Sequence, residues 1–76
     1  MKDFLTYLVK AIVDTPSQVD IEEKEIAPNS FQYLIHAKAE DIGKIIGKEG
    51  KNITAIRNIA KILAIKENKQ VRIEIS

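Results

Sequence analysis

Two glycines separated by two charged residues, with isoleucines on both sides, constrain this chain more than any other feature. Residues 46–53 read Ile-Gly-Lys-Glu-Gly-Lys-Asn-Ile, and apolar residues recur at helical spacing before and after them. Glycines let backbone N–H groups approach a ligand that a Cβ would keep away, and a helix N-terminus adds partial positive charge. The stretch therefore predicts a turn between two helices that can hold a phosphate group.

Two common phosphate-binding loops do not fit this stretch. A Walker A loop requires G-x-x-x-x-G-K-[ST], but Gly43 and Gly47 are one residue too close together and Glu49 offers no hydroxyl for Mg²⁺. A dinucleotide fingerprint, G-x-G-x-x-G, fails because Gly43, Gly47 and Gly50 have the wrong spacing. A simple turn that ends a helix at a glycine remains an alternative explanation, although it needs only one glycine.

The charge distribution favours a ligand over a simple turn. Residues 1–42 carry four basic and eight acidic side chains, a net charge of −4, whereas residues 43–76 carry eight basic and three acidic ones, a net charge of +5. The basic half contains the glycine loop with Lys44, Lys48 and Lys51 around it. This asymmetry indicates a polyanionic partner. For Lys66 and Lys69 we prefer the simpler interpretation of a solvated surface.

Length and composition limit the other possibilities. Residues 1–76 are predicted to form one domain, and an apolar fraction of 45% is enough for a core. The chain has no cysteine, which excludes disulfides and thiolate metal sites and is consistent with the cytoplasm. No stretch approaches a membrane-spanning length, so membrane insertion is not expected. No cofactor is predicted.

The first half of the chain predicts one helix and a β-hairpin. Residues 2–13 place apolar side chains on one helical face, and the helix ends before Pro16. Residues 19–26 and 31–38 alternate as strands, and Ile26 is out of phase, which predicts a bulge or an exposed edge. The strands also carry Phe31, Tyr33, His36 and the acidic residues Glu22, Glu23 and Glu25. We interpret Phe31 and Tyr33 as core rather than as base-stacking residues, His36 as a sheet residue, and the acidic run as solvated.

The second half predicts two helices and a last strand. A short helix from residue 39 ends at Gly47, a longer helix covers residues 51–67, and a strand covers residues 70–75. The long helix has a wide apolar face, predicted to be buried against both the sheet and the neighbouring helices. Its narrow polar stripe consists of Thr54, Arg57, Asn58 and Lys61. The order α-β-β-α-α-β and its helical crossover predict an α+β fold with three helices on one face of a three-stranded mixed sheet.

The motif I-G-x-x-G-x-x-I between two helices resembles the signature of KH domains, whose loop clamps about four single-stranded nucleotides. The element order is similar to the type II KH domain of bacteria, and the resemblance covers essentially the whole chain. The segments 7–14 and 43–50 are most similar to the KhpA family of small, single-KH RNA-binding proteins. This resemblance implies homodimers, pairing with a larger KH-domain RNA-binding protein, and links to cell elongation and division.

The predicted function is binding of single-stranded RNA without catalysis, as a post-transcriptional regulator or RNA chaperone. Phosphates should be held by the backbone N–H groups of Lys48, Glu49 and Gly50. The floor of an apolar groove should be formed by Ile46, Ile53 and Ile56. Arg57 should reach a base or phosphate. Glu49 departs from a purely basic loop and weakens phosphate attraction. The predicted RNA-binding residues are Lys44, Ile46, Gly47, Lys48, Glu49, Gly50, Lys51, Asn52, Ile53 and Arg57. The alternative is a protein–protein adapter or dimerisation module that uses the acidic half and the hairpin. An enzyme has the least support, because no nucleophile–base pair or metal cluster is visible.

Overall fold

Three helices and three strands follow one another in the predicted order α-β-β-α-α-β. In the computed structural model, which describes residues 1–76, these elements are α1 Lys2–Ile12, β1 Asp20–Ala27, β2 Ser30–His36, α2 Ala39–Ile46, α3 Lys51–Lys66 and β3 Gln70–Ile75. Two 3-10 turns, Pro16–Gln18 and Lys48–Gly50, lie between them. The α+β fold class and the element order are therefore confirmed.

The strands form one mixed sheet in the order β1-β2-β3. β1 pairs with β2 as an antiparallel hairpin, and β3 pairs in parallel with β2 because α2 and α3 carry the chain back across the sheet. The register of the hairpin shifts between Glu25 and Ala27, and Ile26 there is 50% exposed. The bulge predicted at Ile26 is confirmed. β3 has only one neighbour, so its outer edge is open.

The core lies between one face of the sheet and all three helices. Tyr33 is 3% exposed and belongs to this core, and Phe31 packs against it, which confirms their interpretation as core residues. The buried cluster consists of Leu5, Val9, Val13, Ile21, Tyr33, Ile35, Ile45, Ile53, Ile56, Ala60 and Ile73. No helix in the structure is long and apolar enough to cross a bilayer.

The wide apolar face of α3 is only partly covered, which corrects the prediction that it is buried on both sides. Ile53 and Ile56 are 7% and 3% exposed, whereas Ile59 and Ile62 are 39% and 58% exposed. A helix turns by about 100° per residue, so Ile62, nine residues after Ile53, lies on the opposite side of the helix. The sheet covers only one side of α3, and the flanking helices do not reach the other.

Candidate nucleic-acid interface

The loop between α2 and α3 reverses the chain with three residues at positive φ. These are Gly47 (φ 76°, ψ 172°), Glu49 (φ 58°, ψ 24°) and Gly50 (φ 74°, ψ 15°). The Gly47 N–H ends α2 by donating to the Gly43 carbonyl at 2.9 Å. The Gly50 N–H, predicted to hold a phosphate, closes the turn in this structure by donating to the Gly47 carbonyl at 3.1 Å. The side chains of Lys48 and Glu49 at the tip are exposed.

Gly47 is required not only because of its positive φ but also because Asn52 packs directly against it. A Cβ on Gly47 would lie 2.7 Å from Asn52 Cγ and 2.9 Å from the Asn52 backbone nitrogen. Asn52 Nδ2 donates to the Lys44 carbonyl at 2.8 Å and so joins the first turn of α3 to the last turn of α2. Asn52, predicted as an RNA-binding residue, therefore also holds the two helices in register around the loop.

The three lysines of the loop differ in their surroundings. Lys48 and Lys51 are exposed and form no ion pair, whereas the Lys44 ammonium pairs with the Asp14 carboxylate from the segment after α1. The hydrogen bond to Asp14 raises the pKa of Lys44 and outweighs the opposing effect of desolvation. Lys44 therefore stays charged throughout the neutral range, but its charge already has a partner.

Asp41 fixes the position of Asp14. Asp41 is 2% exposed, and its carboxylate accepts hydrogen bonds from the backbone N–H groups of Asp14 at 3.3 Å and Thr15 at 3.0 Å. Asp41 lies one turn before Lys44 on α2, so a single helix holds the segment after α1 at two points. Asp41 was not singled out from the sequence, so this buried contact was missed.

The predicted apolar floor of the groove is smaller than expected. Ile53 and Ile56 are buried among core side chains, whereas Ile46 is 38% exposed beside the loop. Ile53 and Ile56 therefore support the loop and the start of α3 from within, and Ile46 is the isoleucine of the three that offers substantial surface to a ligand.

A groove that the sequence did not indicate runs between α3 and the open edge of β3. Its volume is about 680 Å³, and its basic side chains are Arg57, Lys61, Lys69 and Arg72, against one acidic side chain, Glu74. The Arg57 guanidinium spans the groove, since its Nε and Nη2 donate to the Ile73 carbonyl at 3.3 and 3.2 Å. Arg57 is the first residue of α3 that lines this groove, and it lies six residues, or about 9 Å along the helix axis, after the start of α3.

The β3 backbone adds hydrogen-bonding groups to this groove. Gln70 and Ser76 donate their N–H groups towards β2, to the carbonyls of Asn29 and Ile35 at 2.8 and 2.9 Å. Because successive residues of a strand point their backbone groups to opposite edges, Val71, Ile73 and Ile75 direct theirs to the open edge. The groove thus combines positive charge, apolar surface and backbone donors and acceptors.

Topology could have indicated this groove from the sequence. A crossover that makes β2 and β3 parallel places α3 next to β3, and the polar stripe of α3 must then face the strand edge or solvent. Lys69, interpreted as a solvated surface lysine, lies 5.2 Å from the centre of the Phe31 ring at one end of the groove. Lys61 and Arg72 were not singled out because nothing local to them signals a ligand.

Side chains elsewhere give no sign of a reactive or metal site. His36 lies in β2 with its Nε2 3.3 Å from a Glu22 carboxylate oxygen. No group of three or more histidine, cysteine or acidic side chains is arranged to hold a metal ion. The loop and the α3–β3 groove are therefore the features from which a function can be argued.

Comparison with known proteins places this architecture in a family. The family described as "KhpA/KhpB, KH domain" matches residues 2–75. Over 75 residues, which cover 99% of the chain, it is 44% identical to "RNA-binding protein KhpA" of Chlamydia trachomatis (95% of that protein) and 40% identical to the protein of the same name from Clostridium perfringens (99% of that protein). A crystal structure of Aquifex aeolicus Era matches 97% of this chain and 28% of its own, with a TM-score of 0.66 at 18% identity, which shows a shared fold.

Proposed function

The chain belongs to the KhpA/KhpB family of KH domains, and we propose that it binds short single-stranded RNA through the glycine loop and the α3–β3 groove. The single observation that carries this proposal is the placement of the loop at the N-terminal end of the helix that lines the basic groove. A strand of RNA held at the loop by its phosphates would continue along α3 with its bases towards β3. No step of this function requires catalysis or a cofactor.

Each part of the surface has a different task in this proposal. The exposed Lys48 and Lys51, with the loop backbone, attract and position phosphates. In the groove, Arg57, Lys61 and Arg72 add charge, and the open edge of β3 offers N–H and carbonyl groups to base edges. One domain that reads about four nucleotides discriminates weakly between sequences, so we expect modest affinity and low specificity.

The proposed biological role depends on the same RNA-binding surface. Residues 1–76 act as a single KH domain in the cytoplasm of a bacterium, as an RNA chaperone or post-transcriptional regulator with an influence on cell shape. Contacts of modest affinity and low specificity suit a protein that binds many transcripts and releases them readily.

The first expected result is a strong salt dependence of RNA binding. Between about two and four phosphates should be neutralised per domain, which gives a slope of log affinity against log salt of roughly −1.5 to −3. Titration of a labelled single-stranded oligonucleotide at several salt concentrations measures this slope. An affinity that stays constant from low to moderate salt would remove the electrostatic part of the proposal.

The exposed side of α3 supports a homodimer. Ile62 lies opposite the buried face of the helix and Ile59 lies at the edge of that face, and both point away from the side that carries Arg57 and Lys61. A second copy that covers these isoleucines would remove apolar surface from water and leave both grooves accessible. Two linked grooves raise apparent affinity through effective concentration. The same face would accept the KH domain of a larger RNA-binding protein.

Sedimentation at micromolar concentrations tests the dimer. The parent should sediment as a dimer, and Ile62→Glu should sediment as a folded monomer whose melting temperature falls only by the stabilisation that the dimer supplied, because the charge enters the interface and not the core. Ile26→Glu is the matched control, since Ile26 is also half exposed but lies at the bulge of β1. A monomeric parent, or equal dissociation in both variants, contradicts the proposed interface.

A further inference from the structure

We propose that Asp14 competes with RNA phosphate for the Lys44 ammonium. It pairs with this ammonium in the free protein and thereby sets the affinity of the glycine loop. The inference rests on the proposed function and adds a residue to it that lies outside the loop and the groove. It starts from the ion pair between Lys44 of α2 and Asp14, 30 residues away in the chain.

The backbone of Asp14 is held in place, so that its exposed carboxylate stays within reach of Lys44. The segment after α1 is fixed by the buried Asp41 carboxylate, which accepts the N–H groups of both Asp14 and Thr15. Val13, directly before it, is 8% exposed and belongs to the core. Because the backbone on both sides of Asp14 is anchored, its carboxylate remains close to Lys44 and competes with an incoming phosphate.

Lys44 is in turn tied to the site of phosphate binding. Its carbonyl accepts the Asn52 side-chain amide, and Asn52 packs against Gly47 at the first position of the loop. Its ammonium is partly exposed, with the side chain 45% accessible, so a phosphate can reach it once the charge of Asp14 is removed.

The ion pair between Lys44 and Asp14 lowers the net positive charge around the glycine loop. Of the three lysines around it, Lys44 faces Asp14 and Lys48 is followed by Glu49, so Lys51 alone has no acidic residue beside it. Asp14 and Glu49 offset two of the three positive charges, and the buried Asp41 also acts electrostatically on Lys44. Affinity is thus held low by residues that lie at the binding site itself, which favours rapid release of RNA.

The test is Asp14→Asn, which removes the charge and keeps the size of the side chain. With Lys44 released, RNA binding at low salt should become about two- to five-fold tighter, the range expected for one exposed ion pair. The slope of log affinity against log salt should become steeper by about 0.7, because one more phosphate is neutralised. In a Lys44→Gln background the same change should leave the slope unaltered.

Asp3→Asn is the matched control, because it removes the same charge from the far end of α1, about 16 Å away along the helix. A salt slope equal to that of the parent, an equal steepening in Asp3→Asn, or a steepening that persists with Lys44→Gln overturns the inference. A lower melting temperature with an unchanged slope would identify a purely structural pair and also overturns it. A parent that binds no RNA at all overturns the proposed function itself, which distinguishes the two failures.

Discussion

Gly47→Ala should unfold the glycine loop and destabilise the whole domain by about 2–4 kcal/mol, the largest stability effect expected of any single methyl group added to this chain. The backbone of Gly47 at φ 76° and ψ 172° lies in a region that is essentially restricted to glycine. The added Cβ would also lie within 3 Å of three Asn52 atoms, one of them a backbone nitrogen. Relief of that contact would separate the first turn of α3 from α2. RNA affinity should fall together with the melting temperature.

The other two glycines provide matched controls for this substitution. Gly50 has a φ of 74° but open space around its Cβ position, so Gly50→Ala should cost only about 1–2 kcal/mol of backbone strain. Gly43 lies inside α2 with open space and no positive φ, so Gly43→Ala should be neutral or stabilising by up to about 1 kcal/mol. Thermal denaturation of the three variants tests this order. A Gly47→Ala variant as stable as Gly50→Ala would contradict the close packing of Asn52 on the loop.

Replacing Lys48 and Glu49 together with aspartate should abolish most RNA binding and leave the fold intact. Both side chains are exposed at the tip of the loop, and surface changes of this kind alter stability by about 0.5 kcal/mol or less. Aspartate tolerates the left-handed conformation that Glu49 adopts better than most residues do. The two changes take the net charge of the tip from 0 to −2, so a phosphate brought to the loop would meet two carboxylates. An affinity loss of about ten-fold or more, which corresponds to about 1.4 kcal/mol, is expected.

The same chemical exchange can be made elsewhere as a control. Lys24 and Glu25 form an adjacent lysine–glutamate pair in β1, and both are exposed on the strand farthest from β3. Replacing them with aspartate changes the net charge of the protein by the same amount without touching the loop. This variant should bind RNA within about two-fold of the parent, since charges separated by more than about 10 Å are largely screened at 0.1 M salt.

Local patterns were sufficient to predict the elements of the fold. The alternation of β1 and the out-of-phase Ile26 predicted a bulge, and the helical spacing around Gly47 predicted where α2 ends, because both depend on neighbouring residues only. The parallel pairing of β2 with β3 followed from the length of the connection. The bulge and the end of α2 depend on residues close together in the sequence, and the pairing depends only on the length of chain between the two strands.

Features that depend on distant residues were missed. Hydrophobic spacing identified Ile59 and Ile62 as apolar but could not indicate that no element covers them. The pairing of Asp14 with Lys44 and the groove between Arg57 and the β3 edge bring together residues far apart in the chain. Glu49 at φ 58° was also unexpected, since glycine or asparagine is the usual residue there.

The glycine loop either binds RNA or only turns the chain, and the proposed function requires that it binds RNA. Fluorescence anisotropy of a labelled single-stranded RNA oligonucleotide, titrated with the parent, the Lys48→Asp/Glu49→Asp variant and the Lys24→Asp/Glu25→Asp control at one low salt concentration, tests this directly. We expect the parent and the control to bind alike and the loop variant to bind at least about ten-fold more weakly, with all three melting at similar temperatures. A loop variant that binds RNA as tightly as the parent would contradict the account and favour a protein–protein adapter in which residues 47–50 are only a turn.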